Sequence, residues 1–378
     1  MLGESDNETS ENPSRLRIAV EAQATLGHGR GVGTYTTNLL SALRALQVPG
    51  LELLELRRAS RRPDERFGNF LWDQFEVSRD ARRAGADVLH CAGSTAPMFP
   101  PCPTVLTVHD LIPNVYGGLS WRAGLYWKHW QRYSIRFATV VITVSESTRK
   151  DILRLTSIPQ ERVRVIPLGV SADFRPSDDE SAITRVLERH GLRRPYILAV
   201  SAIQPNKNFP MLVDAFALSR RRRTLSPAHC LVVVGMTDWP DSVGLSERSR
   251  EGLQETVRIL GYVPHEDLLA LYQAAEFLVY PSAYEGFGLC PLEAMACGAP
   301  VIASGVSSIP EVVGEAALLV TPPLTAQRFS DAISALASDE AARLQLSARG
   351  RSRAALFRWS DTARRTLDVY RRVAAGAA

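Results

Sequence analysis

The chain has 378 residues, 45% of them hydrophobic and 22% charged, with a formal net charge of +4. That length is generous for one core and comfortable for two domains, and the composition is ordinary for a soluble globular protein. No apolar run approaches the ~18–20 residues a membrane-spanning helix needs. The five cysteines form no C-x-x-C pair, so they read as reduced thiols of a cytoplasmic protein, not as a metal site.

The charge is unevenly placed. Residues 15–172 hold 21 Lys+Arg against 13 Asp+Glu, whereas residues 173–378 hold 23 against 23. The basic excess suits an anionic membrane face or a phosphorylated acceptor, and it equally suits a solvated arginine-rich surface. The polar, acidic stretch Met1–Pro13 argues for a disordered tail (1–14) and against a secretory signal.

In chain order, Leu16–Glu21 alternates as a first strand. A glycine-rich loop, Gly27-His28-Gly29-Arg30-Gly31-Val32-Gly33, follows, and then a helical period from Thr34 to Leu43. Strand, glycine loop and helix make the phosphate-binding geometry of a doubly wound sheet. The glycine spacing is not G-x-G-x-x-G, which speaks against a nicotinamide oxidoreductase; a purely structural tight turn is the competing reading. Arg57–Arg66 reads as a basic exposed loop. Asp87–His90 and Pro103–Val108 read as short strands, the second delivering His109-Asp110 at its carboxyl end, where open α/β sheets place ligands.

Trp121–Phe137 mixes aromatic and basic residues. It reads as an amphipathic helix with its aromatics packed inward, or as a membrane or acceptor surface. No groove-reading motif accompanies it, so no nucleic-acid partner is expected. Thr139–Val144 is another buried strand, leading through Ser145 to a capped helix start. Val163–Val170 closes the first half. Asp173–Arg194 reads as a linker with a helix.

Tyr196–Ser201 opens the second half, and Lys207 follows in a loop before a helix over Met211–Ser219, where a lysine can reach a phosphate as a point charge. Cys230–Gly235 and Val257–Pro264 are further strand segments, and Leu268–Ala275 is helical. The most informative stretch begins after the buried strand Phe277–Tyr280. The turn Glu285-Gly286-Phe287-Gly288 lets backbone amides approach a ligand. A helix then starts with Pro291 in its first turn and stops at Gly298, before Pro300 and a strand over Val301–Ala303. Its N-terminus is a diphosphate-type anion site, framed by Glu285 and Glu293. Ser304–Glu311 is a second loop leading into a helix, and Thr362–Val373 is a terminal helix.

Glu285 to Glu293 is an E-x7-E pair, and from Leu16 onward the chain resembles glycosyltransferase family 4, whose members are retaining, nucleotide-sugar-dependent enzymes. The resemblance implies an α/β GT-B fold: two Rossmann-like, doubly wound parallel-sheet domains facing each other across a cleft. It places an acceptor-side domain at 15–172, a nucleotide-sugar domain at 173–357 and a helix at 358–378 crossing back to the first. It implies His109, Glu285 and Lys207 as catalytic residues and Asp110 on the acceptor side. The donor would be held by Gly31, Gly33, Ser201, Asn206, Lys207, Tyr262, Glu285, Gly286, Phe287, Gly288, Leu289 and Glu293. An arginine that usually accompanies the lysine is missing, with Ala202 and Asn206 at the candidate positions.

Asp-x-Asp is absent, so no metal or other cofactor is expected; Lys207 and backbone amides would take a cation's place. The Gln204–Asn208 and Val108–Pro113 segments resemble mannosyl- and rhamnosyl-transferring members that build surface polysaccharides, which favours GDP-mannose as donor. The acceptor would be a glycan, a lipid-linked sugar or a small molecule, met in the cytoplasm or peripherally at the inner membrane face. A nucleotide-sugar epimerase of the same fold and a non-catalytic sugar-nucleotide-binding homologue are the alternatives.

Overall fold

The computed structural model describes residues 15–26, 31–57, 72–116, 121–200, 204–235 and 255–377. The expected tail 1–14, Gly27 to Arg30, most of the Arg57–Arg66 segment, and Ser201 with Ala202 lie outside the described residues. Among the described residues, the aliphatic runs form two six-stranded sheets. The first comprises β1 (Leu16–Glu21), β2 (Leu51–Leu56), β3 (Val88–Cys91), β4 (Thr104–Val108), β5 (Val140–Thr143) and β6 (Val163–Val165). The second comprises β7 (Tyr196–Val200), β8 (Cys230–Val234), β9 (Val257–Gly261), β10 (Phe277–Tyr280), β11 (Val301–Ser304) and β12 (Leu318–Val320). All pairings are parallel. VVIT in β5 and FLVY in β10 are buried at every residue, as expected of parallel strands covered on both faces.

The strand orders position the site. The first sheet runs β2-β1-β3-β4-β5-β6 and the second β12-β11-β10-β7-β8-β9. In the first, strand succession reverses between β1 and β3; in the second, between β7 and β10. Crevices for ligands open at the carboxyl ends of strands beside such a reversal. The loops after β7 and β10 carry Lys207 and Glu285, and His109 follows β4, the neighbour of β3.

One apolar cluster packs around Leu89, Leu106 and Ile152 on the first sheet and another around Phe216, Val279 and Phe329 on the second. A third is continuous through both halves, from Ile18 and Leu39 to Leu198 and Leu271, and includes Ala363, Leu367 and Tyr370 of the final helix. That helix, Trp359–Ala374, packs on the helix Gly31–Ala45 and against β1, β3 and β4. The chain crosses between halves where the Val170 N–H donates to the Phe357 carbonyl at 3.0 Å. A Cβ at Gly169 would lie 2.2 Å from the Trp359 nitrogen, so only glycine permits this crossing.

Three details differ from the sequence expectations. The first helix begins at Gly31 and not at Thr34, because Gly31 and Gly33 form its first turn. Gly33 has a packing reason: a Cβ there would lie 2.6 Å from the Ala24 carbonyl oxygen, forcing the helix off the Gln23–Leu26 turn. In the helix Trp121–Phe137, the buried positions among the described side chains (127–137) are Gln131, Ser134 and Ile135. Three of its described aromatics pack on one another instead: Trp130 stacks on Tyr133 at 5.1 Å, and Tyr133 lies 4.3 Å from Phe137, which is exposed. The strands β2 and β12, not foreseen, are a half-buried edge strand and a three-residue strand, too irregular or short to show a period. Among the described residues no helix is long and apolar enough to cross a membrane, and all five cysteines are free thiols.

Candidate functional site

Lys207 and Glu285 form the centre of the site. Lys207 ends the single turn Pro205–Lys207, with Asn208 at φ 51° turning the chain into the next helix. Its ammonium lies 2.6 Å from Glu285 Oε1 and donates to the Tyr280 hydroxyl at 3.0 Å. Ser282 donates a further, short hydrogen bond to the same carboxylate oxygen. The two charged side chains are only 16% and 10% exposed, so the pair is desolvated and each ion needs the other. Burial draws the Lys207 pKa down, yet the facing Glu285, with Cys290 and Asp110 nearby, more than offsets it and holds the amine above its ordinary value.

The turn that carries Glu285 is fastened from both sides. The Glu285 N–H donates to Ser307 Oγ at 3.0 Å, and Ser308 donates to the carbonyls of Glu285 and Phe287 at 3.0 and 2.8 Å. Asn206 Nδ2 donates to the Tyr284 carbonyl at 3.0 Å. Gly288, at φ +112°, stands at the N-cap of the helix Leu289–Ala296, a backbone position that L side chains resist. Leu289 opens the helix, and Phe287 is buried in the core cluster that spans both halves.

Across the cleft, β4 delivers His109 and Asp110. His109 Nε2 lies 3.0 Å from the Ala92 carbonyl oxygen; because a carbonyl only accepts, Nε2 carries the proton and Nδ1 is left with its lone pair. Burial pulls the imidazole pKa down to about 4, against the opposing Ala92 contact, so the ring is neutral at pH 7. Asp110 is pushed up chiefly by burial, opposed by the Ile112 N–H; nearby Glu285 adds to the rise and Lys207 counters it. The halves touch here. A Cβ on Gly286 would fall 1.7 Å from the His109 carbonyl oxygen, so the Glu285–Gly288 turn is seated against the end of β4.

Glu293 sits one helical stretch deeper. Its Oε2 accepts from the Tyr272 hydroxyl at 3.1 Å. Burial pushes its carboxyl up to about 7, with the Tyr272 hydrogen bond opposing. Among the described residues, no group of three or more His, Cys, Asp or Glu is placed to hold a metal ion.

The chain as a whole matches known protein families. Residues 184–353 match the family of group 1 glycosyl transferases, and residues 29–174 match glycosyltransferase family 4. The chain is 30% identical over 387 aligned residues to alpha-maltose-1-phosphate synthase from Mycobacterium tuberculosis, covering 91% of this chain and 96% of that protein. It belongs to glycosyltransferase family 4. It is also 38% identical over 246 residues to O-antigen chain mannosyltransferase B from Escherichia coli, across 63% of this chain and 62% of that one. It therefore spans less than two thirds of that relative's length. A sucrose-phosphate synthase from Thermosynechococcus elongatus superposes with a TM-score of 0.73 at 25% identity, covering 96% of this chain and 100% of that one. The GT-B fold is thereby shared.

Within this family-4 chain, the structure brings Lys207, Glu285, Asp110, His109 and Gly286 to one end of the cleft. Glu293 lies behind them and the Leu289 amide opens the adjoining helix. The Gly31 and Gly33 amides belong to a helix's first turn, where N–H groups have no intrahelical acceptor. Tyr262, just after β9, is 65% exposed, and Ser201 lies outside the described residues. Asn206 is 1% exposed and donates from its amide nitrogen to the Tyr284 carbonyl, so it shapes the Glu285 turn. Sequence reasoning passed over Tyr280, Ser282, Tyr272, Ser307 and Ser308. The pair Ser307-Ser308 offered a signal as adjacent hydroxyls in a glycine loop; the tyrosines, inside apolar runs, offered none.

The first half also grips the second through one helix. Glu311 accepts from the N–H groups of Glu146 and Ser147, both at 2.7 Å, at the N-terminus of Glu146–Thr156. Tyr284 donates to Asp151 at 2.8 Å and Thr148 to the Gly286 carbonyl at 3.3 Å. A carboxylate on a helix N-terminus contributes about 1 kcal/mol when exposed. Glu311→Ala is therefore expected to loosen closure, seen as a larger radius of gyration in X-ray scattering without loss of helix content. An unchanged radius would show that Glu311 does not hold the halves together.

Proposed function

We propose that this protein is a metal-independent, retaining glycosyltransferase that moves a hexose, with GDP-mannose the favoured donor, onto a glycan, lipid-linked or small-molecule acceptor. The observation that carries the reading is the desolvated Lys207–Glu285 pair, at the reversal point of the second sheet, set against His109 and Asp110 at the end of β4 in the first. In this reading the anomeric carbon–oxygen bond to the diphosphate breaks with its electron pair going to the diphosphate, the acceptor oxygen forms the new bond to the anomeric carbon, and the acceptor hydroxyl's proton passes to the departing diphosphate. Lys207 and the N-terminal amides of Gly31–Ala45 and Leu289–Ala296 meet the growing negative charge. Glu285 and the Phe287–Leu289 amides hold the sugar hydroxyls, and neutral His109 faces the sugar and acceptor. Glu293 accepts from the ribose hydroxyls. The similarity to an O-antigen mannosyltransferase supports mannose. The basic excess of residues 15–172 supports an acceptor met at an anionic cytoplasmic membrane face.

A thermal-shift panel with GDP, UDP, dTDP and ADP, each with and without EDTA, tests the reading. Ligand binding to the folded state raises apparent stability as RT ln(1 + [L]/Kd). A selective GDP shift that survives EDTA, followed by mannose transfer from GDP-mannose, is the expected result. Selective stabilisation by another nucleotide would change the donor, and an EDTA-sensitive shift would overturn metal independence. No shift with any nucleotide would overturn the reading.

The Glu293 carboxyl makes a signed pH prediction. Its pKa in the fold, about 7, lies above its ordinary 4.5, so its contribution to stability is fully present below 4.5 and is lost as pH rises through about 7. Glu293→Gln cannot ionise and should unfold at a higher temperature than the wild type at pH 8, with the gap closing by pH 4. Nucleotide affinity should move the other way, falling about 10- to 100-fold with the loss of charged hydrogen bonds. Calorimetric titration at pH 8 checks this; unchanged affinity would remove Glu293 from the ribose site.

A further inference from the structure

Four polar side chains that the proposed site does not use lie buried on the face of the first sheet from which His109 emerges. His90 on β3 pairs in register with Val105, so His90, Val105, Thr107 and the position of His109 share a side of the sheet. Tyr35 from the helix Gly31–Ala45 and Tyr370 from the returning helix Trp359–Ala374 cover that side. The exposures are 1% for Tyr35 and 0% for His90, Thr107 and Tyr370. They form an unbroken chain: Tyr370 OH to His90 Nδ1 at 2.5 Å, His90 Nε2 to Thr107 Oγ1 at 2.8 Å, and Thr107 Oγ1 to Tyr35 OH at 3.0 Å. At its end the Tyr35 ring stands edge-on to His109, with centroids 4.7 Å apart and planes at 76°. Trp359, at the start of the returning helix, lies 6.2 Å from the same Tyr35 ring.

We infer that Tyr35 is a positioning residue for His109, and that the returning helix sets it through the buried relay Tyr370–His90–Thr107. Polar groups in an apolar core cost free energy unless fully paired, and apolar residues would fill the same space without that demand. What the relay supplies is a fixed ring orientation. His109 is held at Nε2 by the Ala92 carbonyl, and that single bond leaves the ring free to swing about it; the Tyr35 edge, pinned through its own hydroxyl, closes the remaining freedom. Burial keeps His90 neutral, with its pKa pulled down to about 3, so the relay conducts orientation and not charge. Because Tyr370 and Trp359 reach Tyr35 from the segment that crosses back from the second half, the geometry of His109 depends on that crossing helix being docked.

This inference rests on the catalytic place given to His109 in the proposed function, and its test separates the two. Tyr35→Phe and Tyr370→Phe each remove one hydroxyl and keep the ring. Melting temperature and nucleotide Kd serve as controls, since the proposed nucleotide contacts lie mostly on the second half and none is made by the Tyr35 or Tyr370 hydroxyl. Ring-nitrogen resonances of His109 in 15N-histidine-labelled protein report tautomer and environment directly, and transfer rates report kcat. The expected result is a displaced or broadened His109 signal in both variants, with kcat lowered about tenfold, Kd unchanged and Tyr35→Leu lower still; sub-ångström misplacement of a reacting group has effects of this order. His109 signals unchanged in both variants, or displaced signals with kcat within twofold of wild type, would overturn it. If the wild type transfers no sugar at all, the resonances alone decide the positioning, and the missing activity counts against the proposed function.

Discussion

Glu285→Gln is expected to lower sugar transfer by about 10²–10³-fold while nucleotide affinity changes little. Preorganised hydrogen-bonding groups at the reacting centre contribute effects of that size when one is removed. The carboxylate accepts from Lys207 and Ser282 in one desolvated spot, so it is already held where sugar hydroxyls are proposed to bind. Glutamine keeps the volume and one carbonyl acceptor for Lys207 but turns the other oxygen into a donor. Lys207 is unchanged in this variant and keeps the diphosphate contact proposed for it, which is why binding should survive. Glu285→Ala should be worse for stability, by about 3–5 kcal/mol, because it strands a buried ammonium. Steady-state transfer rates, calorimetric nucleotide titration and chemical unfolding separate these effects. Transfer by Glu285→Gln within tenfold of wild type would sink the role given to this carboxylate.

Gly286→Ala is expected to be as damaging for a different reason. A single methyl would lie 1.7 Å from the His109 carbonyl oxygen and 2.7 Å from its carbon. Both atoms are backbone, so no side chain can swing aside. The methyl therefore prevents the Glu285–Gly288 turn from seating on the end of β4, and the halves must part. Each half should stay folded on its own apolar cluster, around Leu89 and Leu106 in the first and Phe216 and Phe329 in the second, although the cluster shared by both is opened. The expected signature is a loss of transfer of about 10²-fold or more, an increased radius of gyration and retained nucleotide binding by the second half. Full activity in this variant would mean that the seated arrangement is not the one that reacts.

The reach of the sequence differed from element to element. The second half of the site was legible because its signals are local. A strand, a glycine turn, Pro291 and Gly298 punctuate one short stretch, and the structure has the helix at Leu289–Ala296 with Gly298 at φ +88°. His109 was legible at the carboxyl end of an apolar run and Lys207 as a loop lysine between a strand and a helix, and the family resemblance gave both their roles. Gly31 and Gly33 were read as loop because glycine is a poor helix former; the structure has them in a helix, since close packing on Ala24 outweighs propensity.

By itself, then, the amino-acid sequence determined the two strand-and-helix halves, the turn bearing Glu285 and the positions of Lys207, His109 and Glu293, all of which follow from the order of residues along a few turns of chain. Only the tertiary structure decided who meets whom. Tyr272 against Glu293, Tyr280 against Lys207, Glu311 on the Glu146–Thr156 helix, and Tyr370 linked through His90 to Tyr35 join residues from 21 to 280 positions apart. Those meetings are set by strand order and by how the halves close on each other, and neither leaves a period or a spacing in the sequence.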